Sequence, residues 1–251
     1  MNLLQTLGRG IWFFLQGIRA IPASLGQPTE LLLQSHKALA GCLLLSTLAG
    51  AAAGIVAWIH LRNALVNVAG PSAVSYLPQA LGLAVVLEFA PLSAALILAG
   101  RVGSSLAAEL ASMKQTEQID AMVLLGFPPM VKLVAPRLLA CALVLPLLAV
   151  ITVWLAILAG FFAEFLGGSM TWTQYHHEVL RVLNLKDALP ALAKTFFFGL
   201  AVGAAGCFHG MESEGGTEGV GKAATQGVAT SIFLVLFLNV ILVKTFQTLI
   251  P

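Results

Sequence analysis

The chain has 251 residues, of which 59% are hydrophobic and only 10% are charged, and its mean hydropathy is +0.93. Soluble domains are about half apolar and about a quarter charged, so this composition excludes an ordinary soluble protein. The formal net charge of +2, without a basic cluster, excludes a nucleic-acid-binding protein.

Residues 3–21 form the first predicted element, an amphipathic helix. Its apolar face recurs at helical spacing, with Leu4, Leu7, Ile11, Phe14, Leu15 and Ile18. The opposite face is polar, with Gln5, Arg9, Gln16 and Arg19. A helix with two such faces lies in the headgroup region of a membrane and does not cross it. We therefore predict an interfacial helix at the N-terminus, ended by the Pro22–Pro28 segment.

Five apolar runs are long enough to cross a bilayer as helices, since about 20 helical residues span its core. The predicted transmembrane helices cover residues 38–60, 79–100, 133–166, 189–208 and 229–249. Pro146 can kink the third, which is longer than a straight crossing requires. A polar, aromatic-bearing segment at 169–187 predicts a short external helix between spans three and four. The fold class is thus an all-α polytopic membrane protein, organised as a single membrane domain.

The distribution of lysine and arginine predicts the orientation of the spans. Eight cations fall on one side: Arg9, Arg19, Lys37, Arg101, Lys114, Lys132, Arg137 and Lys222. The other five are Arg62, Arg181, Lys186, Lys194 (near a membrane edge) and Lys244. This bias favours a cytoplasmic N-terminus and an external C-terminus.

A charged, helix-favouring segment at residues 107–125 separates spans two and three on the predicted cytoplasmic side. A connecting loop needs only a few residues. A longer amphipathic helix with Glu109, Lys114, Glu117 and Asp120 indicates a docking surface for a soluble partner. The alternative is a helix that only lies on the membrane.

Two motifs suggest a phosphate-binding loop and a metal site, but the neighbouring residues favour neither. Residues 216–222 match the first part of a phosphate-binding loop, but Ala223 replaces the Ser or Thr that would hold magnesium. A glycine-rich turn packed against neighbouring helices is the preferred interpretation. His176 and His177 point to different faces of a helix and have no partner at metal-ligand spacing, so we predict no metal site.

Glu88 is a carboxylate inside the second predicted span. Such a group costs several kcal/mol unless it is paired, protonated or in contact with water. It either lines a cavity or makes a hydrogen bond between helices. Glu164, at the end of the third span, is expected at the membrane interface.

The run AGRVGSSLAAELASMKQTEQIDAMVLLGFPPMVKLVAPRLLA at residues 99–140 closely resembles the signature of MlaE-type permeases. These are the membrane subunits of ABC transporters associated with MCE-domain proteins. The matching positions are Ala99, Gly100, Arg101, Gly103, Ser104, Ala108, Glu109, Met113, Thr116, Glu117, Gln118, Ala121, Gly126, Pro129, Pro136, Arg137 and Ala140. The stretch at 215–225 also resembles the loop before the last span of that family.

Three positions depart from the family pattern. Leu87 stands before Glu88 where the family usually has arginine, although Glu88 and Pro91 are kept. Ala111 replaces a usual glycine, and Asn239 replaces a common aspartate in the last span.

The resemblance implies phospholipid transport between the bacterial inner membrane and an extracytoplasmic MCE-domain oligomer, which maintains lipid asymmetry. A second copy of the chain and a cytoplasmic ABC ATPase dimer would complete the transporter. The ATPase would bind ATP and magnesium, so this chain itself would be non-catalytic and need no cofactor. An ion-coupled secondary transporter that uses Glu88 is the alternative, although no inverted repeat is visible.

The resemblance also implies roles for two sets of residues. Segment 107–125 becomes the coupling helix, and its docking face carries Glu109, Met113, Thr116, Glu117, Gln118 and Asp120. Apolar walls for acyl chains are expected at Leu61, Leu65, Val85 and Leu87, with Glu88 near a lipid headgroup or a pairing helix.

Overall fold

The computed structural model describes residues 3–167 and 170–249, and no β-strand occurs within these ranges. The helices are α1 (Leu3–Ser24), α2 (Pro28–Ala69), α3 (Leu77–Ala84), α4 (Ala90–Leu98), α5 (Ser104–Gln115), α6 (Gln118–Leu124), α7 (Ala135–Gly167), α8 (Trp172–Val182), α9 (Leu185–Met211) and α10 (Gly216–Leu249). A 3₁₀ turn occupies Pro71–Tyr76, and π-helical turns occupy Val85–Phe89, Ala99–Gly103 and Met130–Val134. The predicted all-α class is confirmed.

Five helical stretches in the described ranges are long and apolar enough to cross a membrane. They are Pro28–Ala69, Pro71–Gln115, Met130–Gly167, Lys186–Met211 and Gly216–Phe246. Each overlaps one of the predicted spans and is longer than it, because a helix continues beyond its apolar core wherever its flanking residues also favour helix. The first has 42 residues, or roughly 60 Å at 1.5 Å per residue.

The segment predicted as one coupling helix over 107–125 is two helices. α5 continues the helix of the second span and ends at Gln115, and α6 begins at Gln118. Glu117 lies between them with φ 57°, the only positive φ of a non-glycine residue in the described ranges. The Thr116 backbone N–H bonds to the Ser112 carbonyl at 3.1 Å, and the Thr116 hydroxyl donates to the same carbonyl at 2.9 Å, so both groups of Thr116 close the end of α5. The prediction was wrong because neither Gly nor Pro marks this break.

The described residues divide into two compact units. The first combines the residues up to Cys42 with Ala95–Leu145 and Phe196–Ile241, and the second combines Leu43–Ala94 and Pro146–Thr195 with the residues from Leu242 onward. The long helices contribute to both units.

Close helix contacts hold the first unit together, and the glycines of α9 make them possible. A Cβ added at Gly199 would lie 2.4 Å from the Cys141 carbonyl oxygen of α7. A Cβ at Gly206 would lie 2.8 Å from the carbonyl oxygen of Gly103, next to α5. Small residues at this spacing let helix backbones approach where apolar burial provides no driving force, as in a bilayer.

α1 packs against the end of α9 within the first unit on one side and exposes apolar side chains on the other. Phe13 makes an edge contact with Phe208 of α9 at 5.6 Å between ring centroids, and Arg9 pairs with Glu212 at 3.1 Å. Ile11 and Trp12 are more than half exposed. α1 runs through Pro22 and ends at Ser24, within the Pro22–Pro28 segment that was expected to end it. Its place in the headgroup region stays a prediction.

The second unit is built around contacts of α3 with α8 and of α2 with α7. α8 begins after the Thr171 cap, whose side chain forms a reciprocal capping box with Gln174. Val179 of α8 is buried and faces Gly82 of α3. α8 is therefore a packed helix and not only a surface helix. Of the 169–187 segment, Ser169 lies outside the described residues, and the last three residues belong to α9.

Glu164 is fully buried within the second unit, and its place at the depth of the membrane interface stays a prediction. Its Oε2 accepts a hydrogen bond from Trp58 Nε1 at 2.6 Å. The hydropathy pattern did not indicate this, because the partner lies 106 residues away in the chain.

The glycine-rich stretch that resembles a phosphate-binding loop has a structural role. Gly215 and Gly216 have positive φ and form a turn, and residues 217–222 are the first turns of α10 and not a phosphate-binding loop. The prediction of a glycine-rich turn holds for these two glycines alone. The described residues contain no group of three metal-ligating side chains.

Candidate functional site

A π-helical turn within the second span positions Glu88. The turn covers Val85–Phe89, where the Ala90 N–H bonds to the Val85 carbonyl five residues earlier. Pro91 follows and has no N–H, so one carbonyl of the preceding turn loses its backbone donor. Such insertions occur frequently at functional sites, because they change the direction of side chains along an otherwise regular helix.

Lys194 of α9 supplies the missing donor and also binds Glu88. Its Nζ donates to the Leu87 carbonyl and lies 2.9 Å from Glu88 Oε1. The lysine side chain is only 3% exposed, whereas that of Glu88 is 45% exposed. A buried ammonium group requires this kind of pairing, since desolvation without a partner costs several kcal/mol. The pair therefore anchors Lys194 and leaves part of the carboxylate open.

The exposed side of this pair borders a cavity of about 230 Å³ within the second unit. Its charged lining consists of Glu88, Lys194, Lys186 and Asp187, two cations and two anions. The remaining lining residues are Leu87, Pro190, Ala191, Val243 and Phe246. This combination of balanced charges with apolar walls suits an amphipathic molecule whose polar part carries both signs of charge. We call it the Glu88–Lys194 pocket.

Of the residues expected to contact lipid, the structure brings only Leu87 and Glu88 into this pocket. Val85 is 1% exposed and belongs to an apolar cluster with Leu81 and Ala156, so it does not line the cavity. Leu61 packs against the same cluster, and Leu65 is half-buried on α2. A period of 3.6 residues cannot identify the inner face of a helix that contains a π-helical turn.

Sequence reasoning missed Lys194, which was assigned to a membrane edge. A usable signal existed, because Lys194 lies inside a predicted span and Glu88 lies inside another. Opposite charges within membrane spans pair with each other far more often than they face lipid. The missing family arginine before Glu88 strengthens this signal, since the carboxylate then needs another cation.

A second candidate site is the chain reversal at Thr116 and Glu117, between α5 and α6. Thr116, Glu117, Gln118 and Asp120 are all exposed there, and Gln118 Nε2 donates to Thr116 Oγ1 at 3.0 Å. Met113 is half-buried. The structure thus brings together four of the six residues predicted for docking. Their role in docking stays a prediction.

Glu109 stands apart from that group. Its Oε1 lies 2.9 Å from Arg137 Nη2, and the arginine side chain is only 4% exposed. The carboxylate is therefore engaged by α7 of the same chain, although 42% of the Glu109 side chain is exposed, and its role in docking stays a prediction.

Apolar side chains next to the reversal were not predicted as part of the docking surface. Val123, Leu124, Leu125 and Phe127 are about half to nine-tenths exposed. Ile119 is buried and anchors α6 to the chain. Together with Glu117, Gln118 and Asp120 these four residues form the α6 tip. The sequence signal that could have identified this apolar surface was the uninterrupted VLL run at residues 123–125, in a segment predicted to be cytoplasmic.

Comparison with known proteins agrees with this architecture. The sequence profile described as Permease MlaE matches residues 31–245. Over 168 residues the chain is 35% identical to the "probable ABC transporter permease protein ycf63" of Pyropia yezoensis, and the match covers 65% of this chain and 64% of that protein. Over 157 residues it is 36% identical to a "probable ABC transporter permease protein" of Rickettsia typhi, covering 62% of this chain and 61% of the relative. A Synechocystis protein of the same description is 35% identical over 159 residues, with 63% and 60% covered.

The chain spans somewhat less than two thirds of the length of these curated relatives. The family profile, in contrast, covers most of the chain, including the α6 tip, every residue of the Glu88–Lys194 pocket except Phe246, and most of each of the five long apolar helices. The chain is therefore a multi-pass membrane protein that belongs to the MlaE permease family.

Proposed function

We propose that this chain is the permease subunit of an ABC transporter that moves phospholipid between the bacterial inner membrane and an extracytoplasmic MCE-domain oligomer. Through this movement the transporter would maintain the lipid asymmetry of the membrane. The observation that carries the proposal is the Glu88–Lys194 pocket, a charged and partly apolar cavity between membrane-spanning helices. The names of the relatives support the transporter class.

The pocket fits a phospholipid in its chemistry. A zwitterionic headgroup carries a phosphate and an amine, which match the two lysines and the two carboxylates of the lining. Val243, Phe246 and Leu87 offer apolar surface to the first methylene groups of the acyl chains. Leu87 and Glu88 keep the lipid-contacting role predicted for them, and Lys194 joins them.

The energy would come from a separate subunit. We assign the α6 tip to docking on a cytoplasmic ABC ATPase dimer, which would bind ATP and magnesium. Exposed apolar residues flanked by Glu117 and Asp120 form the kind of surface that a groove with basic margins accepts. A second copy of the chain would enclose the lipid path, and the MCE-domain oligomer would receive the lipid on the outer side.

The experiment is lipid transfer in proteoliposomes that contain the permease with its ATPase. Glu88→Gln should lower ATP-dependent phospholipid transfer about tenfold, because it removes the charge that orients the headgroup and Lys194. Glu30→Gln is the matched control, since Glu30 bonds only to Gln34 one turn along α2 among the contacts described for it. Unchanged transfer in Glu88→Gln would contradict the proposal.

The same assay separates a second candidate function. The half-exposed Glu88 side chain, paired with a buried lysine inside a membrane span, is a group that an ion-coupled transporter can use as its coupling carboxylate. Transfer that follows a proton gradient, and persists without the ATPase and ATP, would favour that secondary transporter. Dependence on ATP and on the ATPase would favour the ABC permease.

A further inference from the structure

A second charged cavity lies within the first unit and shares no residue with the Glu88–Lys194 pocket. Its volume is about 460 Å³, and α2, the π-helical turn over Ala99–Gly103, α5 and α7 form its walls. Lys37, Arg101 and Arg137 line it together with a single carboxylate, that of Glu109. The lining therefore has a formal excess of two positive charges, which favours an anion.

The Arg137 side chain in the wall of this cavity has a hydrogen-bond donor that the Glu109 carboxylate does not satisfy. One Nη atom of this buried arginine binds Glu109 at 2.9 Å, and the other donates to the Leu133 carbonyl at 3.4 Å. The buried Nε–H has no acceptor among the described residues. A guanidinium has five N–H donors, and buried donors are rarely left without acceptors. The wall of the cavity thus offers more donors than the chain satisfies.

Two glycines line the cavity at positions where no close contact with a neighbouring helix requires glycine. A Cβ added at Gly41 of α2 or at Gly100 of the π-helical turn would meet no atom within 4 Å. Glycine inside a helix costs about 1 kcal/mol relative to alanine, and here no close helix contact requires it, unlike at Gly199. The glycines leave space beside the cations, as a bound group would need.

We propose that this cavity binds a phosphate group, with Lys37 and Arg101 at its exposed edge and Arg137 in its wall. Phosphate oxygens accept several charge-assisted hydrogen bonds at once, and the planar guanidinium of arginine matches them in pairs. Two sources carry this group, a phospholipid headgroup and soluble inorganic phosphate. The assignment to lipid rests on the proposed function, whereas the phosphate site itself does not.

The binding experiment uses the full chain purified in detergent. Native mass spectrometry counts the phosphatidylglycerol molecules retained by wild type and by the double variant Lys37→Gln/Arg101→Gln. The double variant should bind one lipid fewer, or bind it at least about tenfold more weakly, since it loses two charge-assisted contacts. Arg19→Gln, at an exposed position of α1 outside the cavity, is the matched control and should retain the lipid.

A second variant tests the cavity by filling it and keeps all four charged side chains of its lining. Gly41→Leu adds a side chain where open space exists, so the helix should form normally while the cavity fills. It should lose the same lipid as the double variant. Arg101→Lys, in contrast, keeps the positive charge and should retain most of the binding. Arg137 is left unchanged, because its removal would leave Glu109 without its partner.

Inorganic phosphate distinguishes the two sources. If millimolar phosphate raises the Tm of wild type but not of the double variant, and displaces the extra lipid, the ligand is soluble phosphate. If phosphate has no such effect while the lipid difference persists, the ligand is the headgroup. The proposal is overturned if wild type, Gly41→Leu and the double variant retain equal lipid and respond equally to phosphate. Failure of ATP-driven transfer would not change any of these binding results.

Discussion

At the scale of single residues, each buried charged side chain that the structure describes has a partner on another helical element, as Arg137, Glu164 and Lys194 show. Lys194 holds Glu88 and the Leu87 carbonyl, and Trp58 of α2 donates to Glu164 of α7. Near that carboxylate, burial raises the pKa of Tyr175, and the Glu164 charge acts in the same direction. The Tyr175 hydroxyl donates to the Ile157 carbonyl at 3.4 Å.

The Trp58 contact makes a prediction about stability. Trp58→Phe keeps an aromatic ring but removes the N–H donor to the fully buried Glu164 carboxylate. The free energy of unfolding should fall by about 1–3 kcal/mol. Thermal unfolding of the purified protein in detergent measures it as a lower Tm. Trp154→Phe, at a half-exposed tryptophan of α7, is the control, and an equal loss there would argue against a specific role of the hydrogen bond.

At the scale of elements, the reversal at Thr116–Glu117 converts an apparent single helix into a span end followed by the short α6 helix. Glu117 adopts a left-handed backbone conformation, which asparagine tolerates better than most other residues. The reversal exposes the apolar residues of the α6 tip next to two acidic side chains. An element of seven residues with this much exposed apolar surface is suited to docking, and its isolated stability is low.

Docking is tested by a double variant that keeps the turn. Glu117→Asn with Asp120→Asn removes both charges without adding strain at the positive φ. Co-purification of the ATPase should fall about five- to twentyfold and depend less on salt, because rim charges act mainly through electrostatic attraction. Membrane insertion and Tm should not change. Glu214→Gln, outside the α6 tip, is the control, and full ATPase association of the double variant would show that α6 is not the docking element.

At the scale of the whole molecule, the lysine and arginine bias predicts which ends of the spans face the cytoplasm. The three native cysteines are buried, which leaves a clean background for labelling introduced thiols. Leu125→Cys and Thr173→Cys both replace exposed residues.

A membrane-impermeant maleimide tests this topology. In intact spheroplasts it should label Thr173→Cys and not Leu125→Cys, whereas inverted vesicles should show the reverse pattern. The cause is the excess of cations in the segments near Leu125, which retains them on the cytoplasmic side. Labelling of Leu125→Cys from outside would invert the topology and remove the basis for ATPase docking at α6.

In the candidate site, the importance of Glu88 was predictable from the local sequence, but its partner and its orientation were not. Glu88 was identifiable because a carboxylate in a 20-residue apolar run has few explanations. Its contact with Lys194 joins residues 106 positions apart, and the π-helical turn that directs Glu88 has no sequence signature. The burial of Val85 in an apolar cluster with Leu81 and Ala156 was not indicated by the local pattern either, and its contact with lipid stays a prediction.

Composition and periodicity by themselves determined the all-α membrane class and the five long apolar helices, because these depend on apolar run lengths. The resemblance of the contiguous motif at residues 99–140 indicated the family. Only the tertiary structure decided which charged side chains pair and where the helix over 107–125 breaks. It also decided which glycines make close helix contacts and which face open space. The physical reason is that hydropathy and helix propensity act over neighbouring residues. Desolvated charges and close backbone contacts, in contrast, are satisfied by groups from distant parts of the chain.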